Sequence, residues 1–409
     1  MKTIQITRRF VRHEWGGTET VVLETSKRML SRGHTTKVLC PNALADRDRD
    51  EMDGVRIQRF PYFYPYLGLS ASSKRQLDQK AGNLFSFSLL RYLKSQPDIQ
   101  LLHAHSGKRL GGIVRHVALQ RNIPYVVSLH GGCLDVPVEE ASSWTKPTRG
   151  TLEWGKVLGW WVGSRRVLND AAAIICVGRR ESKAIQDQFP NQRVVELPNG
   201  VDTARFTSGN GRQFRKAYDI APSDFLILCV GRIDPQKNQL ALIRAMPELL
   251  KTHRNLKLML IGHVTNSDYL AQIQHNIVSL GLHKQVKVIP GIDNQSPELV
   301  DGFHAADLCA LPSLHEPFGI VVVESWAART PIVASRVGGL MDLISDGVDG
   351  ILFDPSNPND LLNKLRDSIQ MPADHRQMMI EAAFRKASQQ YSWERVTDQL
   401  VNLYDEVVV

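Results

Sequence analysis

The chain has 409 residues, of which 43% are apolar and 22% are charged, and its formal net charge at pH 7 is +8. This composition is that of a folded globular protein, and it excludes a disordered or low-complexity chain. The length exceeds what a single hydrophobic core usually serves, so we expect two domains of roughly 200 residues each.

We expect neither a signal peptide nor a membrane-spanning segment. The first ten residues, MKTIQITRRF, contain no apolar run, and no apolar run elsewhere approaches the ~20 residues that cross a bilayer. The five cysteines are scattered and form no C-x-x-C pair, a pattern that indicates reduced thiols. These features are typical of a cytoplasmic protein.

Positive charge is concentrated in the first half of the chain. Residues 1–200 hold 30 basic and 18 acidic side chains, whereas the remainder holds 20 and 24. A basic half is typical of a protein with an anionic partner such as phosphate, an acidic membrane surface or nucleic acid. A surface that is merely soluble explains the charge equally well, and both interpretations stay open.

Short apolar runs alternate with longer amphipathic stretches along the chain. The runs are continuous rather than alternating, which is typical of parallel strands buried on both faces. Helical stretches such as 19–32, 239–252 and 268–281 separate them, so the pattern predicts repeated βαβ units. The predicted strands cover residues 3–6, 35–40, 99–103, 125–129, 173–177, 193–197, 225–230, 257–261, 286–289, 307–311 and 332–335.

One polar segment divides this repetition into two parts. Residues 197–212, LPNGVDTARFTSGNGR, are rich in Gly, Asn, Thr and Ser and read as a linker. The pattern predicts an α/β protein with two doubly wound, Rossmann-like domains, residues 1–200 and 201–389, facing a central cleft. Ligands of such sheets bind beyond the carboxyl ends of the strands. Residues 390–409 form a predicted amphipathic helix that returns to the first domain.

Two carboxylates flank a strand-to-helix turn in the segment HEPFGIVVVE. Glu316 lies in the predicted exit loop of a strand, and Glu324 lies more than one turn into the following helix. The helix N-terminus around Phe318, Gly319 and Ile320 offers free amides to an anion. Carboxylates accept hydrogen bonds from hydroxyl groups, so a ligand with hydroxyls at two places and phosphate between them, such as a nucleotide sugar, fits. The alternative is that Glu316 only caps a turn and Glu324 is an ordinary surface residue of the helix.

Two cations follow the predicted strand 225–230. The segment VGRIDPQKN places Arg232 and Lys237 on either side of a turn made by Asp and Pro. A guanidinium fork beside a point charge suits a diphosphate, and the pair would also stabilise a diphosphate leaving group. An ordinary basic loop remains the alternative.

The first half offers two candidate ligand contacts. His130 directly follows the predicted strand 125–129, a position that favours function, although a lone histidine is often structural. Gly16 and Gly17 precede a Thr-rich helix start and could form a nest of backbone amides for phosphate or sugar oxygens.

In this order along the chain, these motifs resemble the GT-B fold retaining glycosyltransferases of family 4, also called glycosyltransferase group 1. The resemblance covers nearly the whole chain and includes PNGVD (198–202), GRIDPQKN (231–238) and EPFGIVVVE (316–324). The last of these is the family's E-x7-E signature. Two departures occur, with Asn238 where Gly is common and GGLMDLI (338–344) where G-G-x-P-E is usual.

The resemblance implies a role for each matched polar side chain. Glu316 would contact the hydroxyls of the donor sugar, and Glu324 would bind the ribose hydroxyls. Arg232 and Lys237 would neutralise the diphosphate as it leaves, and His130 would contact the transferred sugar near the reacting carbon.

The backbone contacts implied by the resemblance lie at the two glycine-containing loops. Phe318, Gly319 and Ile320 would lend amides to sugar or phosphate oxygens. Gly16 and Gly17 would approach the phosphate and help frame the acceptor side.

The implied reaction transfers a sugar from a nucleoside diphosphate donor, a UDP-sugar or GDP-mannose, with retention of configuration. GT-B enzymes resemble one another in needing no metal and no further cofactor. DRDRD (46–50) matches the metal-binding D-x-D pattern of another transferase class. Because arginines flank it and no apolar run leads into it, we interpret it as a solvated loop.

The acceptor of family 4 enzymes belongs to the basic N-terminal domain. Residues 144–166 hold four of the seven tryptophans among Lys and Arg, and 60–69 add further aromatic side chains. Basic and aromatic surfaces suit an anionic membrane interface, so a lipid-linked or other glycan acceptor, cell-surface polysaccharide synthesis and a peripheral location at the inner membrane face form one hypothesis. Tryptophans in the core of a helical insert are the alternative.

Two other functions stay open at this point. One is a GT-B fold relative that does not transfer sugars, such as a nucleotide-sugar epimerase. The other is a non-catalytic module that binds through its basic half. No nucleic-acid-binding motif is present, so we expect no nucleic-acid partner.

Overall fold

The structure is a computed structural model that describes residues 1–79, 82–131, 146–292 and 295–408. The chain divides into two compact units. The first unit comprises Met1–Asn199 together with Trp393–Val409, and the second comprises Gly200–Ser392.

The first unit is built on a mostly parallel sheet. Its strands are β1 (Lys2–Ile6), β2 (Thr35–Pro41), β3 (Arg49–Met52), β4 (Val55–Phe60), β5 (Tyr66–Leu67), β6 (Leu101–Ala104), β7 (Tyr125–Leu129), β8 (Leu152–Glu153), β9 (Ala173–Cys176) and β10 (Val194–Glu196). Within the described ranges, eight of them form one sheet in the order β10-β9-β7-β6-β1-β2-β4-β3. All neighbours in it are parallel except β3 and β4, and β5 pairs separately with β8.

Helices cover both faces of this sheet. Among the residues of this unit that the structure describes, they are α1 (Gly17–Ser31), α2 (Ala71–Gln79), α3 (Phe87–Ser95), α4 (Lys108–Arg121), α5 (Lys156–Trp161) and α6 (Arg179–Gln188), with 3-10 turns at Arg12–Glu14, Lys146–Thr148 and Ser164–Arg166. Side chains of a strand alternate between faces. Ile4 and Ile6 therefore pack under α3 and α4, while Thr3 and Gln5 point to the opposite face.

The second unit is built on an all-parallel sheet. Its strands are β11 (Phe225–Val230), β12 (Leu256–Gly262), β13 (Val286–Pro290), β14 (Leu308–Leu311), β15 (Ile332–Ser335) and β16 (Ile351–Phe353). In the part of this unit that the structure describes, they form one sheet in the order β13-β12-β11-β14-β15-β16. The order reverses between β11 and β14, and ligands of doubly wound sheets bind at such a switch point.

The helices of the second unit lie on both faces of its sheet. They are α7 (Thr203–Phe206), α8 (Gly211–Ala217), α9 (Gln239–Leu250), α10 (Ser267–Ser279), α11 (Pro297–Ala305), α12 (Ile320–Ala327), α13 (Leu340–Leu343), α14 (Pro358–Ile369) and α15 (Ala373–Gln390), with a 3-10 turn at Pro235–Lys237. Strands and helices thus alternate in both units, and the predicted α/β class with two Rossmann-like sheets is confirmed.

The last helix, α16 (Trp393–Val408), returns to the first unit. Trp393, Leu400 and Tyr404 are buried in a cluster with apolar side chains of the first sheet. Arg28 of α1 donates a hydrogen bond to Glu394, with 2.8 Å between Nε and Oε1. Residues 391–392 separate α15 from α16. The terminal helix predicted over residues 390–409 therefore begins three residues later, at Trp393.

Every predicted strand overlaps an observed one, but several strands were missed. β4 reads VRIQRF and alternates between apolar and polar residues, so a search for continuous apolar runs passes over it. β16 has only three residues. The DRDRD loop prediction is wrong at its end, because Arg49–Met52 form an antiparallel edge strand in which Asp50 pairs with the buried Arg59.

The predicted linker is more ordered than its composition indicates. Residues 203–206 of this segment form helix α7, whose first turn is capped by Asp202 accepting a hydrogen bond from the Arg205 amide at 3.0 Å. Phe206 at the end of the helix is buried in the second unit. In the described ranges, no helix is both long and apolar enough to cross a membrane.

Candidate active site

Two loops meet at the switch point of the second sheet. One follows β11 and carries residues 231–238, and the other follows β14 and carries residues 312–319. Gln236 joins them through two hydrogen bonds, from its side-chain amide to the His315 carbonyl at 3.0 Å and from the Leu314 amide to its own carbonyl at 2.8 Å. Side chains on these loops therefore keep fixed positions relative to one another.

Lys237 and Glu316 form an ion pair across these loops. Ser313 donates a further hydrogen bond to the same carboxylate, with 3.3 Å between Oγ and Oε2. Only 14% of the Lys237 side chain and 12% of the Glu316 side chain is exposed. Because a buried charge without a partner is strongly destabilising, each group holds the other in place until a competing partner arrives.

Arg232 lies beside this pair and is the more exposed cation. Its Nη2 donates to the Gln236 side-chain carbonyl at 2.9 Å, its Nη1 lies 3.9 Å from Asp234, and 39% of the side chain is exposed. The structure thus brings Arg232, Lys237 and Glu316 together beyond the carboxyl ends of β11 and β14. Two cations and a carboxylate at a helix-rich edge can bind an anion and a hydroxyl group side by side.

The loop after β11 owes its shape to two residues. Asp234 caps the 3-10 turn by accepting from the Gln236 amide at 3.1 Å, and it also accepts from the Thr265 hydroxyl at 2.9 Å. Asn238 adopts a left-handed conformation with φ of +52°. Glycine and asparagine are the residues that tolerate this region, so the departure from the usual Gly preserves the turn.

Gly319 shapes the start of helix α12. Its φ is +99°, and an added Cβ would lie 2.5 Å from Leu340 Cδ2. Glycine is therefore required here by backbone conformation and by packing against α13. Among the residues that the structure describes, no acceptor receives the backbone amides of Phe318 and Gly319. The helix start of Ile320 is thus a suitable seat for an anion.

Glu324 lies five residues into α12 and is half-buried. Burial raises the pKa of its carboxyl to about 7, and the nearby Arg205 guanidinium opposes this shift. The carboxylate makes no hydrogen bond to the described part of the chain. A ligand hydroxyl that donates a hydrogen bond to Glu324 would stabilise its charged carboxylate form.

In the first unit, His130 follows β7 as predicted and is half-buried. Its Nε2 lies 2.8 Å from Nδ1 of His105, a buried side chain that the sequence analysis did not single out. Burial lowers the pKa of His130 to about 4, so the ring is neutral at pH 7. The signal that could have found His105 is the H-x-H pattern at 103–105, at the end of a predicted strand.

Gly16 and Gly17 lie at the start of α1, as the sequence predicts. The carboxylate of the buried Glu19 lies close to them, with its Oε2 3.1 Å from the position of a Cβ on Gly16. Arg9 pairs with both Glu14 and Glu19 at 3.3 Å. The loop thus combines amides with a carboxylate, and this combination suits hydroxyl groups better than phosphate.

The aromatic segment of the first unit is exposed in part. The exposed apolar side chains lie on β5, β8, α5 and the adjoining turn, and they are Leu67, Leu152, Trp154, Val157, Trp160 and Trp161. We call these six residues the aromatic surface. Trp160 is 84% exposed, so its interpretation as core is wrong. Phe60 and Tyr64, expected at the surface, are buried, and Trp144 lies outside the described residues.

Two family descriptions match the sequence. The description "Glycosyl transferases group 1" matches residues 211–386, and "Glycosyltransferase Family 4" matches residues 15–205. The first match falls within the second unit, which carries Lys237 and Glu316. The second match lies almost entirely in the first unit, which carries His130, and extends into residues 200–205 of the second unit. Together they account for most of the chain.

Curated relatives agree with this match. An uncharacterized glycosyltransferase of Methanocaldococcus jannaschii is 30% identical over 241 residues, which cover 58% of this chain and 60% of the relative. The alignment therefore spans less than two thirds of that protein. A D-inositol 3-phosphate glycosyltransferase of Nocardiopsis dassonvillei is 27% identical over 409 residues, which cover 95% of this chain and 89% of the relative.

Solved structures share the fold. HepE of Anabaena, solved with UDP, superposes with a TM-score of 0.74 at 19% identity, covering 99% of this chain and 100% of HepE. At this identity the likeness speaks to architecture alone. Sequence families and architecture agree, and the chain belongs to the group 1 glycosyltransferases with the GT-B fold.

Proposed function

We propose that the protein transfers a sugar from a nucleoside diphosphate sugar to a hydroxylated acceptor, with retention of configuration. The observation that carries this proposal is the Lys237–Glu316 ion pair at the switch point of the second sheet. A donor sugar offers each member a new partner, since its diphosphate is an anion for Lys237 and its hydroxyl groups are donors for Glu316.

In this proposal the cations supply the chemistry of departure. Lys237 and Arg232 bind the diphosphate, and their charge stabilises it as negative charge develops on the leaving oxygen. The amides at the start of α12 donate to sugar or phosphate oxygens, and the Glu324 carboxylate accepts hydrogen bonds from the ribose hydroxyls. His130 binds the transferred sugar. We propose that no divalent cation is required, because the two side chains provide the positive charge.

The donor is a UDP-sugar or GDP-mannose in this proposal. HepE, which shares the architecture, has been solved with UDP and with UDP-glucose. That likeness favours screening UDP-sugars first. The acceptor is a glycan, a lipid-linked glycan or a small molecule, and the relatives named D-inositol 3-phosphate glycosyltransferases support including the last class.

A donor screen tests the proposal directly. Purified protein is incubated with UDP-glucose, UDP-galactose, UDP-N-acetylglucosamine or GDP-mannose, and release of nucleoside diphosphate is followed with and without EDTA. We expect release from one donor, undiminished by EDTA and lost in Glu316→Ala. The anomeric configuration of the product, read by NMR, is expected to be α when the donor is α.

The screen separates the proposal from its rivals. Turnover that isomerises the donor without transferring sugar would indicate an epimerase-like enzyme. Absence of turnover together with absence of thermal stabilisation by any of the four donors would contradict donor use altogether. A product of inverted configuration would contradict retention alone.

We further propose that the aromatic surface contacts an anionic membrane that carries the acceptor. The protein would then be cytoplasmic and bound peripherally to the inner face of the membrane, where it would act in polysaccharide synthesis. Trp160, Trp161 and Val157 of α5 are exposed beside Lys156, Arg165 and Arg166. Amphipathic aromatic rings with neighbouring cations favour the interface of an anionic bilayer.

Vesicle flotation tests the membrane proposal. At low salt the protein should float with vesicles that contain anionic lipid and not with neutral ones. Trp160→Ser should weaken flotation, whereas Leu280→Ser, at a 41% exposed apolar residue of the second unit, should not. Absence of flotation with anionic vesicles would sink the membrane proposal and leave donor use standing.

A further inference from the structure

Behind His130 lies a chain of buried polar side chains that the proposed reaction does not use. Three adjacent parallel strands supply them: Gln5 lies on β1, His103 on β6 with His105 directly after that strand, and Ser128 on β7. Residues Gln5 and His103 are direct partners in the ladder, and side chains two residues apart share a face. All of them therefore point to the face that α16 covers.

The hydrogen bonds of this network run in one direction. The amide nitrogen of Gln5 donates to the Tyr404 hydroxyl at 3.2 Å, which turns the Gln5 carbonyl oxygen toward His105. That oxygen lies 2.8 Å from Nε2 of His105. Because a carbonyl oxygen only accepts, Nε2 of His105 carries the proton of this hydrogen bond.

The proton on His105 fixes the proton on His130. A neutral imidazole has one N–H, so Nδ1 of His105 presents a lone pair. This lone pair accepts from Nε2 of His130, 2.8 Å away. The remaining nitrogen of His130, Nδ1, is then a hydrogen-bond acceptor. It is buried, and it has no partner among the residues that the structure describes.

The three histidine rings stay neutral at pH 7, so each carries a single N–H. Burial lowers the pKa of His103 to about 3 and that of His130 to about 4, and it holds the pKa of His105 well below its ordinary value. His103 closes the network on the far side, with 2.5 Å from its Nδ1 to the Tyr404 hydroxyl and 2.7 Å from its Nε2 to the Ser128 hydroxyl.

We propose that Gln5 and His105 are positioning residues that hold His130 protonated on Nε2, so that its Nδ1 accepts a hydrogen bond from a hydroxyl of the bound donor sugar. The sugar contact rests on the proposed function, whereas the tautomer of His130 does not. The arrangement supplies an acceptor and no positive charge, so it selects a ligand O–H group rather than a phosphate oxygen at this position.

NMR of protein labelled with 15N-histidine tests the tautomer. Two-bond 1H–15N spectra at pH 7.5 report which ring nitrogen carries the proton, and His130→Ala assigns the signal. We expect His130 protonated on Nε2 in the wild type. We expect the same in Thr3→Val, a control on the same strand and face that loses only the 3.1 Å bond to Thr36. Protonation of His130 on Nδ1 in the wild type would overturn the proposal.

A double-mutant cycle tests the action through His130. His105→Phe keeps a flat ring without polar atoms, and Gln5→Met keeps the side-chain length without the acceptor. Either change should lower kcat/KM for the donor about tenfold, the effect of one neutral hydrogen bond, and should disorder the His130 tautomer. In the His130→Ala background the same changes should have little further effect, because their route of action is gone.

The outcomes separate this inference from the proposed function. Additive losses in the cycle, or unchanged activity and an unchanged His130 signal in both His105→Phe and Gln5→Met, would show that the network is only structural. If the wild type turns over no donor, the proposed function fails, and the sugar contact fails with it. The spectra still decide whether Gln5 and His105 set the tautomer of His130.

Discussion

The two units place different electrostatics at their candidate ligand contacts. In the second unit Lys237 and Glu316 form an ion pair, and only a small part of each side chain is exposed. In the first unit His130 belongs to a network of neutral rings, because burial holds the histidine pKa values far below 7. In the proposed function, the ion pair binds a charged diphosphate by exchanging partners, and His130 binds a hydroxyl group through the lone pair of its Nδ1.

This difference follows from what each region must stabilise in the proposed reaction. A leaving diphosphate develops negative charge, and preorganised cations stabilise it most effectively in a site of low dielectric. A sugar hydroxyl keeps no charge, and a neutral acceptor binds it without a charge to desolvate. We call Arg232, Lys237 and Glu316 the ionic region, and Gln5, His103, His105, Ser128, His130 and Tyr404 the neutral region. The following substitutions test whether the two regions differ in this way.

The largest effect is expected at the ionic region. Lys237→Met keeps the aliphatic stem that covers Gly231 and removes the charge. Donor turnover should fall about 10²–10³-fold, the range for losing one preorganised group that stabilises the transition state. The control is Lys251→Met, whose pair with Glu248 is exposed and dispensable. Steady-state release of nucleoside diphosphate measures both, and a loss of less than tenfold in Lys237→Met would contradict the assigned role.

Glu324→Gln should change how stability depends on pH. The pKa of Glu324 is about 7 in the folded chain against an ordinary 4.5, so the folded state binds the extra proton between these values. The stabilising contribution is present below about pH 4.5 and is lost as the pH rises through 7, a loss of roughly 2–3 kcal/mol between pH 5 and 8.

Urea unfolding at the two pH values measures this effect. Relative to the wild type, Glu324→Gln should gain stability at pH 8 compared with pH 5. The exposed Glu248→Gln should follow the wild type. If the unfolding free energies of Glu324→Gln and the wild type depend on pH in the same way, the pKa of the Glu324 carboxyl is not raised in the folded chain.

The scaffold of the ionic region depends on Gly319. Gly319→Ala should cost about 2 kcal/mol of unfolding free energy, because the left-handed backbone disfavours a Cβ and Leu340 Cδ2 stands in its way. Gly281→Ala is a matched control with φ of +67° and no atom within 4 Å, so it should cost about 1 kcal/mol. Equal costs in thermal or urea unfolding would show that packing against Leu340 is irrelevant.

The smallest effect is expected at the neutral region. Tyr404→Phe removes the hydroxyl that joins Gln5 to His103 and should cost about 1 kcal/mol, the net value of an ordinary hydrogen bond. Donor turnover should fall about two- to threefold, since the bond between Gln5 and His105 survives. A loss as large as that in Lys237→Met would erase the contrast between the regions.

The ionic region could be predicted from the sequence because its parts are local. Arg232 and Lys237 follow one apolar strand, and Glu316 follows another, so their places at strand ends can be read from the pattern of runs. Which of these residues contact each other could not be predicted. The spacing does not show that Lys237 pairs with Glu316, because the two residues are 79 positions apart. Strands β11 and β14 become neighbours only through the strand order.

The neutral region could be predicted from the sequence only in part. His130 stands out because it follows a strand and precedes glycines, whereas Gln5 lies within a strand and Tyr404 within the last helix. Their contact joins residues 399 positions apart. The aromatic surface shows the same limit, because periodicity could not decide between exposure and burial for the tryptophans of α5, and the structure leaves Trp160 84% exposed.

The sequence by itself determined the class of the fold, since continuous apolar runs and the helices between them are local consequences of burial on both faces of a parallel sheet. It also determined which polar residues stand at strand ends. Only the tertiary structure decided which of these meet, because strand order and the return of α16 are set by the packing of distant segments. The pKa values of Glu324 and His130 belong to this second group, since burial is a property of the folded chain.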